Sequence, residues 1–146
     1  MTTLLILLAF FDLWVMDSNV NSDDLYLSVI NIGEIKKGIN KLPASKKKQD
    51  LLFWLETLFE DYHNRILTVD LVVMENWSLI VANAEKKGQS VASMDSIIAA
   101  VAYTHHLTLV TRNERDFYAC NIYPLPTSRK KLIKSTVLSS GNIIDL

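Results

Sequence analysis

The sequence predicts an α/β protein built on a parallel central sheet. Three observations lead there. Short apolar runs alternate with longer segments of helical periodicity, capping residues mark where the helices begin and stop, and 146 residues suffice for one domain with a real core.

The elements follow in order. Leu4 to Phe11 is an unbroken apolar run that Asp12 stops. It is too short to cross a bilayer as a helix, and it lacks the basic start and small-residue cleavage site of a secretory leader. A cytoplasmic protein with no membrane partner is the expectation. Leu25 to Leu27 reads as a short strand. Ser28 can cap the next helix, because its hydroxyl accepts from a backbone N–H that the first turn leaves over. Val29, Ile32, Ile35 and Ile39 recur at helical spacing, with Glu34, Lys36 and Lys37 between them. Pro43 ends that helix. Leu51, Leu52, Leu55, Leu58 and Phe59 form the apolar stripe of a second helix over Ala44 to Tyr62. Arg65 to Val69 reads as a strand. Asp70 suits the N-cap of a long helix to Lys87, and Gly88 is a natural left-handed stop. Ser93 to His106 is a further helix, Leu107 to Thr111 a strand, and Asn121 to Leu125 a short strand. In sheets of this kind ligands bind beyond the carboxyl ends of the strands, the edge at which Asn113 follows Thr111.

Composition excludes some chemistry. Cys120 is the only cysteine, so one chain builds neither a disulfide nor a cysteine-based zinc site. His63, His105 and His106 lack metal-ligand spacing. His105 and His106 close a helix, where positive or polar groups suit the dipole. The net charge of −1 does not mark a nucleic-acid binder, although local patches matter more than the sum. Lys46, Lys47 and Lys48 form one basic run, and Arg129, Lys130 and Lys131 form another. Each taken alone reads as a solvated face.

The stretch from Ser93 to Phe117 poses the functional question. Its apolar residues serve a core, but Asp95 at one end and Arg112, Asn113, Glu114, Arg115 and Asp116 at the other do not. Glu34, Asp95, Asn113 and Asp116 sit at helix starts, helix faces or strand ends that an α/β fold can bring to one edge. Hard oxygen ligands suit Mg²⁺ or Mn²⁺, and carboxylates crowded into a cleft repel one another unless a cation neutralises them. A bound divalent ion activates water and stabilises charge on a phosphoryl oxygen, the chemistry of phosphodiester cleavage. Each residue also has a plainer role. Asp95 suits the positive end of its helix, Glu34 can pair with Lys36 or Lys37, Asn113 suits a turn, and Asp116 can cap a short turn through Phe117. Thr111 and Arg112 read equally as strand end and surface charge or as phosphate contacts.

The segments "LYLSVINIGEIKKGINKL", "RILTVD" and "MDSIIAAVAYTHHLTLVTRNERDF", in that order, resemble PIN-domain ribonucleases, specifically the VapC toxins of bacterial toxin–antitoxin pairs. The likeness runs from Asp24 to Ile122. It implies an α/β/α sandwich around a parallel sheet, a Mg²⁺-dependent (or Mn²⁺-dependent) endoribonuclease acting on RNA, inhibition by a cognate antitoxin, and a homodimer. Glu34 matches the family's helix glutamate and Asp95 its helix-start aspartate. Asn113 and Asp116 match its last acidic pair, in which Asp or Asn occupies the first position. The resemblance thus makes Glu34, Asp95 and Asp116 metal ligands and Asn113 a weaker, neutral partner. Thr111 and Arg112 become contacts to the RNA. It also divides the chain into an atypical segment 1–23, a PIN domain 24–125 and an atypical tail 126–146.

One family feature is not plainly present. The family carries an aspartate at the end of its first strand, in a stretch like "LLDTNV", followed by a full helix. In one register "WVMDSNV" is that motif and Asp17 the ligand. The four residues Asn21 to Asp24 then cannot hold the helix that a crossover between parallel strands requires. The favoured register makes "DLWVMDSNVNSDD" the end of the first helix and its loop. The first strand and its aspartate are then missing, and Leu4 to Phe11 takes the helix position or stands in for the strand. A missing central strand exposes two sheet edges, and a missing carboxylate weakens metal affinity. Both termini depart from the family pattern, as in a truncated or frame-shifted copy.

Two other functions compete with the nuclease. One is a catalytically impaired protein that keeps antitoxin or dimer binding, for which Leu51, Leu52, Phe53 and Trp54 offer apolar surface beyond one helix face, although a core role explains them as well. The other is a DNA-acting relative, disfavoured because the chain has no helical arch or added DNA-binding module.

Overall fold

The computed structural model describes residues 4–6, 25–111, 120 and 125–126, with side chains over 25–107, 109 and 120. Five strands form one parallel sheet: β1 (Leu4–Ile6), β2 (Leu25–Ser28), β3 (Ile66–Leu67), β4 (Thr108–Thr111) and β5 (Leu125–Pro126), in the order β3-β2-β1-β4-β5. The helices are α1 (Val29–Asn40), α2 (Lys46–Tyr62), α3 (Leu71–Lys86) and α4 (Ser93–Thr104).

The centre of the sheet is filled, which corrects the expectation that a central strand is absent. Leu4 pairs with Leu25 on one side and Thr108 on the other, so neither β2 nor β4 is left as an edge there. Of the two roles open to the Leu4–Phe11 run, its first part takes the strand's. A run of leucine and isoleucine fits this slot because a central parallel strand is covered on both faces. Asp12 and Asp17 lie outside the described residues, so the question of the first aspartate lies outside them too.

Strand alternation sorts side chains into two layers. Leu25, Leu27 and Ile66 join a core with Ile35 and Ile39 of α1 and Leu55, Leu58 and Tyr62 of α2. Tyr26 and Leu67, pointing the other way, pack with Val73 and Ile80 of α3 and Ile98 to Ala102 of α4. This period of two builds an α/β/α sandwich from short strands. Among the described helices α4 is the innermost. Ala99, Ala100, Val101 and Ala102 are all buried, and the small alanines allow close approach of α3, while α1 and β4 also touch α4.

Helix ends follow their caps. The Ser28 hydroxyl accepts from the Asn31 backbone N–H at 3.2 Å, and the Asn31 side-chain oxygen accepts from the Ser28 N–H at 2.8 Å, a reciprocal capping box. Asp70 accepts from the Val73 N–H at 2.9 Å. Helices α3 and α4 both end in Schellman turns. Gln89 N–H donates to the Ala84 carbonyl around Gly88 at φ 70°, and Leu107 N–H donates to the Ala102 carbonyl around His106 at φ 54°. His106 therefore lies past the end of α4 rather than inside it. Pro43 lies in the turn between α1 and α2, as expected, and α2 begins at Lys46 because Ser45 supplies the cap.

The stripe of α1 is narrower than its spacing suggests. Ile35 and Ile39 are buried, Ile32 is half-buried, and Val29 is exposed because it opens the helix at the sheet edge. The strand expected at Arg65 to Val69 is only Ile66–Leu67. Arg65 instead donates to the Leu25 carbonyl at 3.2 Å and lies 4.5 Å from the centre of the Tyr62 ring.

Candidate active site

The site builds on the carboxyl edge of the sheet. Helix α1 follows β2 without a break, so it starts at that edge. Helix α4 runs back into β4 through residues 105–107, against the strand direction, which places its first turn at the same edge. The start of α1 approaches α4, with Ile30 packed against the core that α4 helps to build. Asp95 stands in the first turn of α4, where the helix dipole favours a negative charge. Glu34 stands six residues after Ser28, about 9 Å along the axis of α1 at 1.5 Å per residue.

Local chemistry differs between the two carboxylates. Glu34 is partly exposed, and its Oε2 lies 2.7 Å from Lys37 Nζ, so the ion pair anticipated from their spacing is present. Asp95 is half-buried and close enough to Cys120 for its negative charge to act on that thiol. Burial first, and then Asp95, push the Cys120 thiol up to about 11, which keeps it protonated at neutral pH.

Ala92 precedes α4 and offers no side-chain oxygen to cap it. The first turn is held instead across the helix pair. Trp77 Nε1 donates to Ser96 Oγ at 2.8 Å, and Ser96 Oγ donates to the Ser93 carbonyl at 2.7 Å, with Ser96 fully buried. One residue back on α3, Asn76 donates to Thr104 Oγ1 at 2.9 Å. Neighbouring residues of α3 thus tie down both ends of α4. Trp77, Ser96 and Asn31 escaped the sequence reading. Asn31 had a visible signal, a polar residue three places after a serine cap, whereas the Trp77–Ser96 contact spans 19 residues and left none.

Thr111 is the last residue of β4, paired with Pro126. Arg112, Asn113 and Asp116 lie outside the described residues. Among the described residues, no three His, Cys, Asp or Glu side chains group closely enough to hold a metal ion. Glu34 and Asp95 do fit a hard divalent cation in kind, as carboxylate oxygen donors on two helices that meet near the start of α1. Beside Glu34, a depression on the outer face of α1 is lined by Gly33, Lys36, Lys37, Asn40 and Lys41. Of the apolar residues Leu51 to Trp54, three are half-buried against the core and Phe53 alone projects, 72% exposed. No helix among the described residues is long and apolar enough to cross a membrane.

Comparison with known proteins agrees with this architecture. The family model of the PIN domain matches residues 10–121. Toxin FitB of Neisseria gonorrhoeae is 35% identical over 101 residues, covering 68% of this chain and 73% of that protein. The VapC ribonuclease Y4jK of Sinorhizobium fredii is 29% identical over 101 residues, with 68% and 72% covered. The crystal structure of FitAcB from Neisseria gonorrhoeae superposes with a TM-score of 0.70 at 32% identity, covering 77% of this chain and 80% of that one.

Proposed function

The chain belongs to the PIN-domain family, and from that premise we propose that it is a metal-dependent endoribonuclease, the toxin of a toxin–antitoxin pair. The observation that carries the reading is Asp95, an acid at the head of the most buried helix, on the ligand-binding edge of a parallel sheet and beside the helix that bears Glu34. A core has no use for a carboxylate there. The names of two relatives, a toxin and a VapC ribonuclease, supply the class of reaction.

In this reading Glu34, Asp95 and Asp116 hold Mg²⁺ or Mn²⁺, and the ion supplies water activation and charge stabilisation at the scissile phosphate. Asn113 and Arg112 orient the water or the phosphate, with Thr111 at the same strand end. Glu34, paired with Lys37 at 2.7 Å, would have to give up that ion pair to serve as a ligand, since lysine and cation would compete for one carboxylate. An antitoxin covers the cleft, the protein works as a homodimer, and its compartment is the cytoplasm.

The test is cleavage of labelled RNA by the purified protein with Mg²⁺, Mn²⁺ or chelator. We expect cleavage with either ion and none with chelator. Asp95→Asn lowers the rate by about 100-fold, the upper end of what loss of a metal-site partner costs. Unchanged cleavage in that variant rejects the assignment. The exposed Phe53 favours a second reading, a catalytically silent protein that retains its partner. Antitoxin capture that Phe53→Asp abolishes, together with no cleavage by the wild type, selects it.

A further inference from the structure

The run Lys46–Lys48 has no part in the site described above, and its position is electrostatically costly. These three residues are the first turn of α2, which contains no acidic residue, so like charges face the positive end of a helix dipole. A first turn chosen for stability alone carries Asp or Glu. Ser45 caps the helix through the Lys48 N–H at 3.2 Å, and the Lys48 ammonium donates to the Leu42 carbonyl at 3.2 Å, tying the run to the end of α1. Leu42 directly follows Lys41, which lines the α1 depression together with Lys36 and Lys37. Between residues 33 and 50 the chain places six lysines against two acids, Glu34 and Asp50, although the whole chain carries a net charge of −1. All of these lysines are exposed except Lys48, which is half-buried, and three of them line the depression on α1.

We propose that this patch is a second contact for the RNA, a phosphate-backbone anchor running from the α1 depression to the start of α2. The inference rests on the nuclease reading and extends it to where the substrate lies. Glu34 and Lys41 are seven residues apart, about 10 Å along α1, so a strand leaving the cleft past Glu34 passes directly onto Lys37 and Lys41. Ammonium groups on flexible stems neutralise phosphates without reading bases, so the anchor adds affinity and not sequence choice.

The test is Lys46→Glu/Lys47→Glu, with cleavage and binding of a labelled RNA of some tens of nucleotides measured across salt concentrations. A merely structural role and an anchoring role predict opposite signs. Acids in this turn complement the dipole, so the variant melts at or above the wild-type temperature. As an anchor it loses RNA affinity about tenfold or more at low salt, and its slope of log K against log salt falls by about one per lysine, while kcat stays unchanged. Lys36→Gln/Lys41→Gln, on the other side of the turn, gives the same direction in a separate helix. If the wild type cleaves RNA and both variants keep its KM and salt slope, the anchor is rejected and the nuclease stands. If the wild type neither binds nor cleaves RNA, both readings fall together.

Discussion

Helices α1 and α4 each bring one acid to the candidate site, yet they are held by different means. The start of α1 is self-contained. Ser28 and Asn31, both buried, satisfy each other's backbone within four residues of sequence. The start of α4 begins after an alanine and depends on Trp77 from another helix, through Ser96, to fix the turn that carries Asp95. The first arrangement is written locally and the second exists only when α3 and α4 have packed. Loss of a local cap therefore damages folding, and loss of the remote tie damages the placement of Asp95.

The sharpest way to break this comparison is Asn31→Ala. It strands the buried Ser28 N–H and removes the reciprocal cap, so we expect a loss of about 2 kcal/mol in urea unfolding, with cleavage per folded molecule unaltered. A loss within about 0.3 kcal/mol, indistinguishable from an ordinary surface change, would show that the box contributes nothing.

Alkaline unfolding sharpens it next, because each layer holds one perturbed acid. In the α3–α4 layer the Cys120 thiol ionises at about 11, above its ordinary value of 9.0. The unfolded chain therefore gives up that proton first, and the folded state loses stability as pH rises from 9 toward 11, by on the order of 2 kcal/mol when the interval is complete. In the α1–α2 layer burial raises Tyr62 above 10.0 against the opposing charge of Arg65, so its loss has the same sign and begins later. Unfolding free energies measured from pH 8 to 11 should show the earlier decline, and Cys120→Ala should flatten it.

The smallest stability effect belongs to Trp77→Phe. The ring stays and only the N–H is lost, which costs about 1 kcal/mol of stability. If the tie positions Asp95, this variant lowers cleavage per folded molecule more than Asn31→Ala does, despite the smaller stability change. Asn76→Ala, which frees the other end of α4, is the matched control and leaves cleavage near wild type. The ordering reverses if α4 holds its first turn without help.

Much of the fold was legible because it is encoded at short range. The caps Ser28 and Asp70, the stop at Gly88 and the period-two strand around Leu25 and Leu27 each depend on neighbours within a few residues. The two carboxylates were legible only in part. Asp95 interrupts an apolar pattern and so draws notice, whereas Glu34 looks like half of a surface ion pair and in the structure is one. Leu4–Ile6 was ambiguous because a short apolar run fits a buried strand or a buried helix equally well, and only pairing partners distinguish them.

The sequence by itself determined the α/β alternation, the helix starts that carry their own caps, and the acids that a core does not require. Tertiary structure decided that Leu4–Ile6 fills the centre of the sheet, that Trp77 holds the head of α4, and that Cys120 comes within reach of the Asp95 charge. The division has a physical cause. A capping hydrogen bond is closed by residues a turn apart, so its partners are visible side by side, while strand order and a contact between helices depend on chain segments whose meeting no local pattern records.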